Sequence, residues 1–503
     1  MINKIFIILS SFFLSFSLNA QNLSVDDWLY DFNYLKDSVI ESGYGKKVFV
    51  DKVLGEIYNK KVNELKNELL HCEDQNQAIS VLERLLNLTL DGHSRLVSMT
   101  EVLQLQPYFN KEEQKQVLYF VDTVRKDESI KLMQKYWEWK RKSSFYFINF
   151  FKYENGVYKT FFPLKFKHKI IPIGTIISKI NGIDINQYVL NNIDNIPVIN
   201  YDYVNKILYS NYISNSFDPL KQSYTDFTFA DSSNVFVQRI YFDNLPKLIG
   251  APFLTINLMK VKYFRKDKVM YIRLFRMNES YKHMQRIRKI AAKKNVNRVI
   301  VDIRDNFGGN DLIWKEIFEE LINVCVDNKI DVVAPCCNIV KQALPCEDTS
   351  RVKSFLGKDY YKLNTNVLET LLPSSTSINF KKKIVVIYNN DIFSSAGACA
   401  AIANRNSKFV TVGTPLNYPM GVGVTPTFIM LPKTGLIVQI DLTLDITNAK
   451  GLDDLFLVPD YEVMQSINDY YIWQSKFGNR WKWNFLRKHD AFYQKAISVN
   501  IDN

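Results

Sequence analysis

Apolar residues recur at helical spacing between Ser24 and Thr89: Trp28, Phe32, Leu35 and Val39, then Leu65, Leu69, Ile79, Leu82 and Leu86. That period predicts an all-helical N-terminal part. From about Val261 to Val463 the pattern changes, and short β-branched runs alternate with helical stretches. This alternation predicts an α/β core. The basic run Arg286 to Asn295 (RIRKIAAKKN) reads as the solvated face of a helix that precedes a strand starting near Arg298. Between the two parts, Ile171 to Ile183 (IPIGTIISKINGI) reads as strand, turn and strand, because Asn181-Gly182 is a strong tight-hairpin signal. Residues 96–154 form an aromatic-rich connection with no clear period, and the aromatic, basic tail from Ser466 to Asn503 predicts a packed helix.

Two segments roughly eighty residues apart carry the candidate chemistry. Asn297 to Asn310 reads NRVIVDIRDNFGGN, and Ile384 to Ala403 reads IVVIYNNDIFSSAGACAAIA. Each is a buried-strand run that breaks into a turn and then a helical pattern. In the first turn, the backbone N–H groups of Gly308 and Gly309 can approach a ligand unhindered by Cβ. In the second, Ser394 and Ser395 stand where a strand gives way to small helix formers, beside unpaired helix N–H donors. One turn suits an oxyanion site and the other a nucleophile, although strand–turn–helix with Gly or Ser is also ordinary α/β punctuation.

Asp302 to Gly309 (DIRDNFGG) resembles the D-[LIV]-R-x-N-x-G-G motif of the C-terminal processing (tail-specific) serine peptidases. Asn390 to Ala398 is similar to that family's nucleophile segment, N-x-x-[ST]-x-S-A-x-E, and the alignment puts Ser395 at the nucleophile. Phe393 stands where the family has Ser or Thr, and Ala398 where it has Glu. One layout in the family pairs the Ser with a Lys in a G-K-G element. Here Thr414 to Gly421 has no Lys, Lys408 comes too early and Lys433 too late. The other layout, of the tricorn-core and retinoid-binding-protein-like branch, takes a His from a D-G-H-[ST] motif. Leu90 to Leu96 (LDGHSRL) matches it closely, with one of only five His in the chain, His93. Gly451 to Asp460 resembles the branch's W-E-G-x-G-V-x-P-D element, with Asp453 at the acidic position and Asp454 as its substitute. The resemblance implies Ser395 as nucleophile, His93 as base and Asp453 as its orienting acid. It implies an oxyanion site from the N–H groups of Gly308 or Gly309 and Ala396, and a crotonase/Clp-protease type of core. The 171–183 stretch resembles the G-[DT]-x-I-x-x-I-N-G strand–turn–strand of PDZ domains, which bind peptides by strand addition.

Residues 1–20 read as a secretory signal: Lys4, an apolar and Ser-rich stretch from Ile5 to Leu18, and a small residue, Ala20, at the cut. An exported, periplasmic protein is expected, with an extracellular one as the alternative. No later stretch reaches eighteen apolar residues, so no membrane span is expected. The net charge is +12, but Lys residues are spread along the chain rather than gathered into a nucleic-acid tract. Six Cys in an oxidising compartment permit disulfides, such as Cys336 or Cys337 with Cys346. No His lies near them at metal-ligand spacing, so no metal or other cofactor is expected.

The expected organisation is a signal at 1–20, a helical domain at 21–95, a connection at 96–154 and a PDZ-like module at 155–250. A peptidase core at 255–465 and a helical tail at 466–503 follow. The expected activity is endopeptidase action on proteins or peptides. The alternatives are an inactive peptide- or ligand-binding protein on the same scaffold and, third, a crotonase-type acyl-thioester enzyme. Oligomeric state is not legible.

Overall fold

In the computed structural model, residues 23–502 are described apart from 106–125, 144–149, 197, 214–222, 232–233, 249–258, 279–280, 328–329, 345–350, 356, 364–369, 417–426 and 476–481. The expected signal sequence, Cys346 and most of the 414–421 loop lie outside the described residues.

The N-terminal part is helical, as its apolar period predicts. Val25–Asn33 is followed by a π-helical stretch, Tyr34–Glu41, and by Lys47–Leu54, Glu56–Leu69 and Gln75–Asn87. Ser24 caps the first helix in a reciprocal box with Asp27, and Asp74 caps the last by accepting from Gln77 N–H. In the connecting region, the helix Lys126–Ser143 packs back on these helices, and the Tyr136 hydroxyl donates to Glu83 at 2.6 Å.

The α/β core is built on a six-stranded sheet in the order Lys260–Phe264, Val269–Arg273, Arg298–Asp302, Ile384–Tyr388, Phe409–Gly413 and Tyr461–Glu462. The first pair is antiparallel and every later pair parallel. The inner strands are buried along their whole length, which is why they read as continuous β-branched runs. The Arg286 to Asn295 run falls mostly on the helix Tyr281–Lys293. Arg288 reaches Glu320 at 2.7 Å, so its basic face is partly paired.

The smaller β module has a sheet of its own. Val235–Tyr241, Tyr224–Ala230, Ile176–Ile180, Val157–Thr160 and Phe151–Glu154 lie in that order, and Ile183–Asp184 pairs with Ile176–Ile180. None of these strands joins the core sheet. Phe151–Glu154 lies ahead of residue 155, so the module takes in the end of the connecting region. Asn181 (φ 51°) and Gly182 (φ 78°) make the tight turn that the dipeptide signals. The module's aromatic interior is continuous with that of the N-terminal helices, so these two parts share one apolar core. Among its described residues the tail forms three helices instead of one: Ile467–Ser475, Trp483–His489 and Ala491–Ser498. Asp490 breaks the last two apart by capping the third, its Oδ1 accepting from Tyr493 N–H. No helix among the described residues is long and apolar enough to cross a membrane.

A buried charge network anchors the tail beneath the core. Arg304 donates to Asp302 (Nη2 to Oδ2, 2.6 Å) and to Asp490 (Nη2 to Oδ2, 2.8 Å; Nη1 to Oδ1, 3.1 Å). Arg273 also binds Asp302, and the Tyr271 hydroxyl donates to it at 2.5 Å. Burial would raise the Asp302 pKa, but Arg273 and Arg304 outweigh it and hold the carboxyl well below its ordinary range. The stabilisation is therefore fully present above the ordinary Asp value of about 4 and is lost as pH falls below it. Arg304→Met leaves two buried carboxylates short of a partner. It should destabilise the fold by about 3–5 kcal/mol in urea denaturation. A loss under about 1 kcal/mol, the size expected of a surface pair, would mean the network is not an anchor.

Candidate active site

Strands 298–302 and 384–388 are parallel neighbours, with Asp302 paired to Ile387. Both motif loops therefore leave the sheet at the same carboxyl-terminal edge, where open α/β sheets place their sites. Hydrogen bonds stitch the loops together. Asp305 N–H donates to Asn389 Oδ1 at 2.9 Å, Asn389 Nδ2 donates to Asp305 Oδ1 at 2.8 Å, and Phe393 N–H donates to the Asn306 carbonyl at 3.0 Å.

Gly308 sits at φ 89° against the serine turn. A Cβ there would lie 2.7 Å from the Phe393 carbonyl oxygen, 2.8 Å from Ser394 Cβ and 2.9 Å from Ser395 N. Only glycine fits both that backbone and that gap. Gly309 packs instead against the backbone of Met277. Ser394 takes the strained conformation φ 57°, ψ −125° and makes no side-chain cap. A non-glycine residue held there costs on the order of 1–3 kcal/mol, and such strain collects at functional turns. Ser395 is the first residue of the helix Ser395–Arg405, and its buried Oγ makes no hydrogen bond.

His93 arrives from far upstream. The strand Arg95–Val97 pairs with Ile437–Ile440, and that pairing fixes the turn before it. The His93 ring stacks on Phe393, with centroids 4.2 Å apart and planes at 21°. Gly92 lies beneath the same ring, where a Cβ would be 3.2 Å from Phe393 Cζ. Phe393, a departure from the resembled motif, thus joins the histidine turn to the serine turn.

The carboxylate beside His93 is not the expected one. Asp453 is exposed on the turn Leu452–Leu455, 3.3 Å from Lys52. Asp454 folds back on its own turn and accepts from the N–H groups of Lys450 (2.8 Å) and Gly451 (3.1 Å). Asp91 takes the place beside His93. Its Oδ1 lies 2.9 Å from His93 Nδ1 and also accepts from His93 N–H at 3.0 Å. The carboxylate is buried, which would raise its pKa, but Lys46 and His93 hold it well below the ordinary range. A hydrogen bond from Nδ1–H to this carboxylate leaves Nε2 as the basic nitrogen. The clue in the sequence was the Asp two residues before a His, the spacing of an Asx turn.

Of the three oxyanion candidates, Gly308 and Ala396 lie at the serine turn while Gly309 lies against Met277, and the donors of the first two are engaged. Gly308 N–H donates to Asn306 Oδ1 at 2.8 Å, and Ala396 N–H to the Phe393 carbonyl at 3.2 Å. The two Lys nearest the missing dyad position are spent elsewhere: Lys408 on Asn323 and the carbonyls of residues 380–382, Lys433 over the Tyr30 ring. The β module touches the serine loop, with Lys152 paired to Asp391 and Asn390 Nδ2 donating to the Tyr209 hydroxyl at 3.1 Å. Among the described residues no cluster of His, Cys, Asp or Glu could hold a metal ion.

Residues 268–463 match the model of peptidase family S41. This core belongs to peptidase family S41. The matched segment contains both motif loops and the acidic turn, and the match supports a serine peptidase. No curated protein sequence matches the chain at a significant level. Among solved structures, mature CPAF is similar over 95% of this chain and 99% of its own, at 11% identity and a TM-score of 0.54. CPAF complexed with lactacystin is similar over 94% and 99%, at 11% identity and 0.54. The photosystem II D1 C-terminal processing protease is similar over 87% and 92%, at 12% identity and a TM-score of 0.38. At these identities the likeness to the CPAF structures is one of fold alone.

The geometry separates the two acids experimentally. Asp91→Asn should lower kcat/KM on a peptide substrate by about a hundredfold or more, because the ring loses its charged anchor. Asp453→Asn, which removes only a surface pair with Lys52, should leave kcat/KM at the wild-type value. The reverse result would restore Asp453 to the role the sequence suggested.

Proposed function

We propose that the chain is an exported serine endopeptidase that uses Ser395, His93 and Asp91. The observation that carries this reading is the junction at Phe393. It sets a His ring with a carboxylate on Nδ1 directly against the turn that bears Ser395. His93 Nε2 takes the proton from Ser395 Oγ as that oxygen attacks a peptide carbonyl, and then returns it to the leaving amine. Asp91 holds the ring's tautomer and stabilises the imidazolium that forms. The N–H groups of Gly308 or Gly309 and of Ala396 receive the oxyanion, each such donor being worth about 3 kcal/mol in comparable sites. The step requires Ser395 Oγ to turn towards Nε2 and Gly308 N–H to leave Asn306.

The β module is assigned the capture of substrate peptide by strand addition, as in PDZ-like domains. Support comes from Val235–Tyr241, an outer strand of its sheet, on which Val235 and Val237 are 72% and 65% exposed. Export to the periplasm rests on the N-terminal apolar stretch, and the secreted protein should begin at Gln21 when its N-terminus is sequenced.

A fluorophosphonate probe tests the nucleophile. Wild type should label at Ser395, and Ser395→Ala should lose both label and peptide hydrolysis while remaining folded. Ser394→Ala should keep both. If Ser394→Ala is dead and Ser395→Ala active, the strained residue is the nucleophile and the assignment is off by one. If the wild type does not label, the binding-protein reading replaces the peptidase reading.

A further inference from the structure

Behind Asp91, on the side away from the His93 ring, lies a closed set of charges. Lys46 Nζ is 2.7 Å from Asp91 Oδ2 and 3.3 Å from Asp441 Oδ2. None of the three residues is more than 3% exposed. The Tyr44 hydroxyl adds a hydrogen bond to Asp91 Oδ2 at 3.1 Å. Asp441 spends Oδ1 on Thr443, accepting from its N–H at 3.0 Å and its hydroxyl at 2.5 Å, while its Oδ2 makes no hydrogen bond and faces the ammonium. The backbones are pressed together to achieve this. Gly45 N–H donates to the Asp441 carbonyl, and a Cβ on Gly45 would lie 2.4 Å from the Thr443 oxygen.

Two carboxylates and one ammonium make an expensive way to fill a core, since apolar residues of similar volume are often as stable or more so. Their location suggests what they do. Asp91 divides its two oxygens, giving Oδ1 to His93 and Oδ2 to Lys46. The charge felt by His93 is therefore Asp91's carboxylate, offset by an ammonium that Asp91 must share with Asp441. From its other side the ring meets uncharged Phe393.

We propose that Lys46 is a positioning residue of the peptidase site, which clamps Asp91 and, through its division between Asp91 and Asp441, sets how strongly that carboxylate acts on His93. The inference rests on the reading of His93 as that base. It assigns a catalytic consequence to two residues, Lys46 and Asp441, that touch neither substrate nor nucleophile.

The sign of each change follows from the charges. Removing the ammonium in Lys46→Met leaves Asp91 with the Tyr44 hydroxyl and with His93 as the one group there that can carry positive charge, which favours the imidazolium. Removing the competing carboxylate in Asp441→Asn gives the ammonium wholly to Asp91, which disfavours it. The readout is the second-order rate of fluorophosphonate labelling of the full-length protein against pH, which follows the free enzyme's base. In Lys46→Met the acid limb should move up by about one pH unit, a roughly tenfold slower rate at a fixed pH on that limb. In Asp441→Asn it should move down, and Lys46→Arg should return it towards wild type. A merely structural role would lower stability or plateau rate and leave the limb in place. If both variants fold by circular dichroism and keep the wild-type limb, the proposal is wrong. If Lys46→Met does not fold, Asp441→Asn decides alone, because only the proposal moves its limb to lower pH. His93→Ala keeps the two readings apart: undiminished labelling would refute His93 as the base, whatever the other variants do.

Discussion

The carboxylate of Asp302 is the point on which the catalytic edge depends. It ends a buried strand where a motif loop begins, and it holds two guanidinium groups, those of Arg273 and Arg304. An ionised group so placed is tolerable only when it is fully paired. Pairing fixes the direction of the chain after residue 302, so the loop carrying Asn306 and Gly308 leaves the sheet along one path. Asn306 then binds Phe393 through its carbonyl and Gly308 through its side chain. The serine turn inherits its position from that contact.

The site is assembled by three kinds of constraint, each with its own range. Parallel pairing of strands 298–302 and 384–388 brings the two loops to one edge. Antiparallel pairing of Arg95–Val97 with Ile437–Ile440 brings the histidine turn to the same place from three hundred residues upstream. Aromatic stacking of His93 on Phe393 sets the last few ångströms. The first two are backbone constraints that most sequences of the right polarity would satisfy. The third depends on one side chain.

Much of this was legible in the sequence. The core strands are uniform apolar runs because both of their faces are covered. The helical N-terminal part and the Asn181-Gly182 turn followed from local chemistry alone. The nucleophile segment, the glycine pair and His93 stood out as motifs, and the fold gathers their segments around Phe393. The acid did not follow from the sequence. A motif position pointed to Asp453, and nothing local reveals that a surface lysine pairs with it; the Asx-turn spacing of Asp91 and His93 was a clue that the motif outweighed. The cluster of Lys46, Asp91 and Asp441 was also invisible, since it joins three segments whose polarity reads as ordinary surface. Nor does the strain at Ser394 leave a trace, because serine is common at any helix start.

The bond between Arg304 and Asp490 joins residues that leave the ribosome far apart in time. The helical part that bears His93 is made before the core, and Asp490, the partner of Arg304, is made after it. Domains generally fold as they emerge, N-terminal first. Here the charges beneath the catalytic edge are complete only after residue 490 has followed the core. Arg304 thus waits for a partner 186 residues further along, so the charge network beneath the core closes only once that later segment has been made.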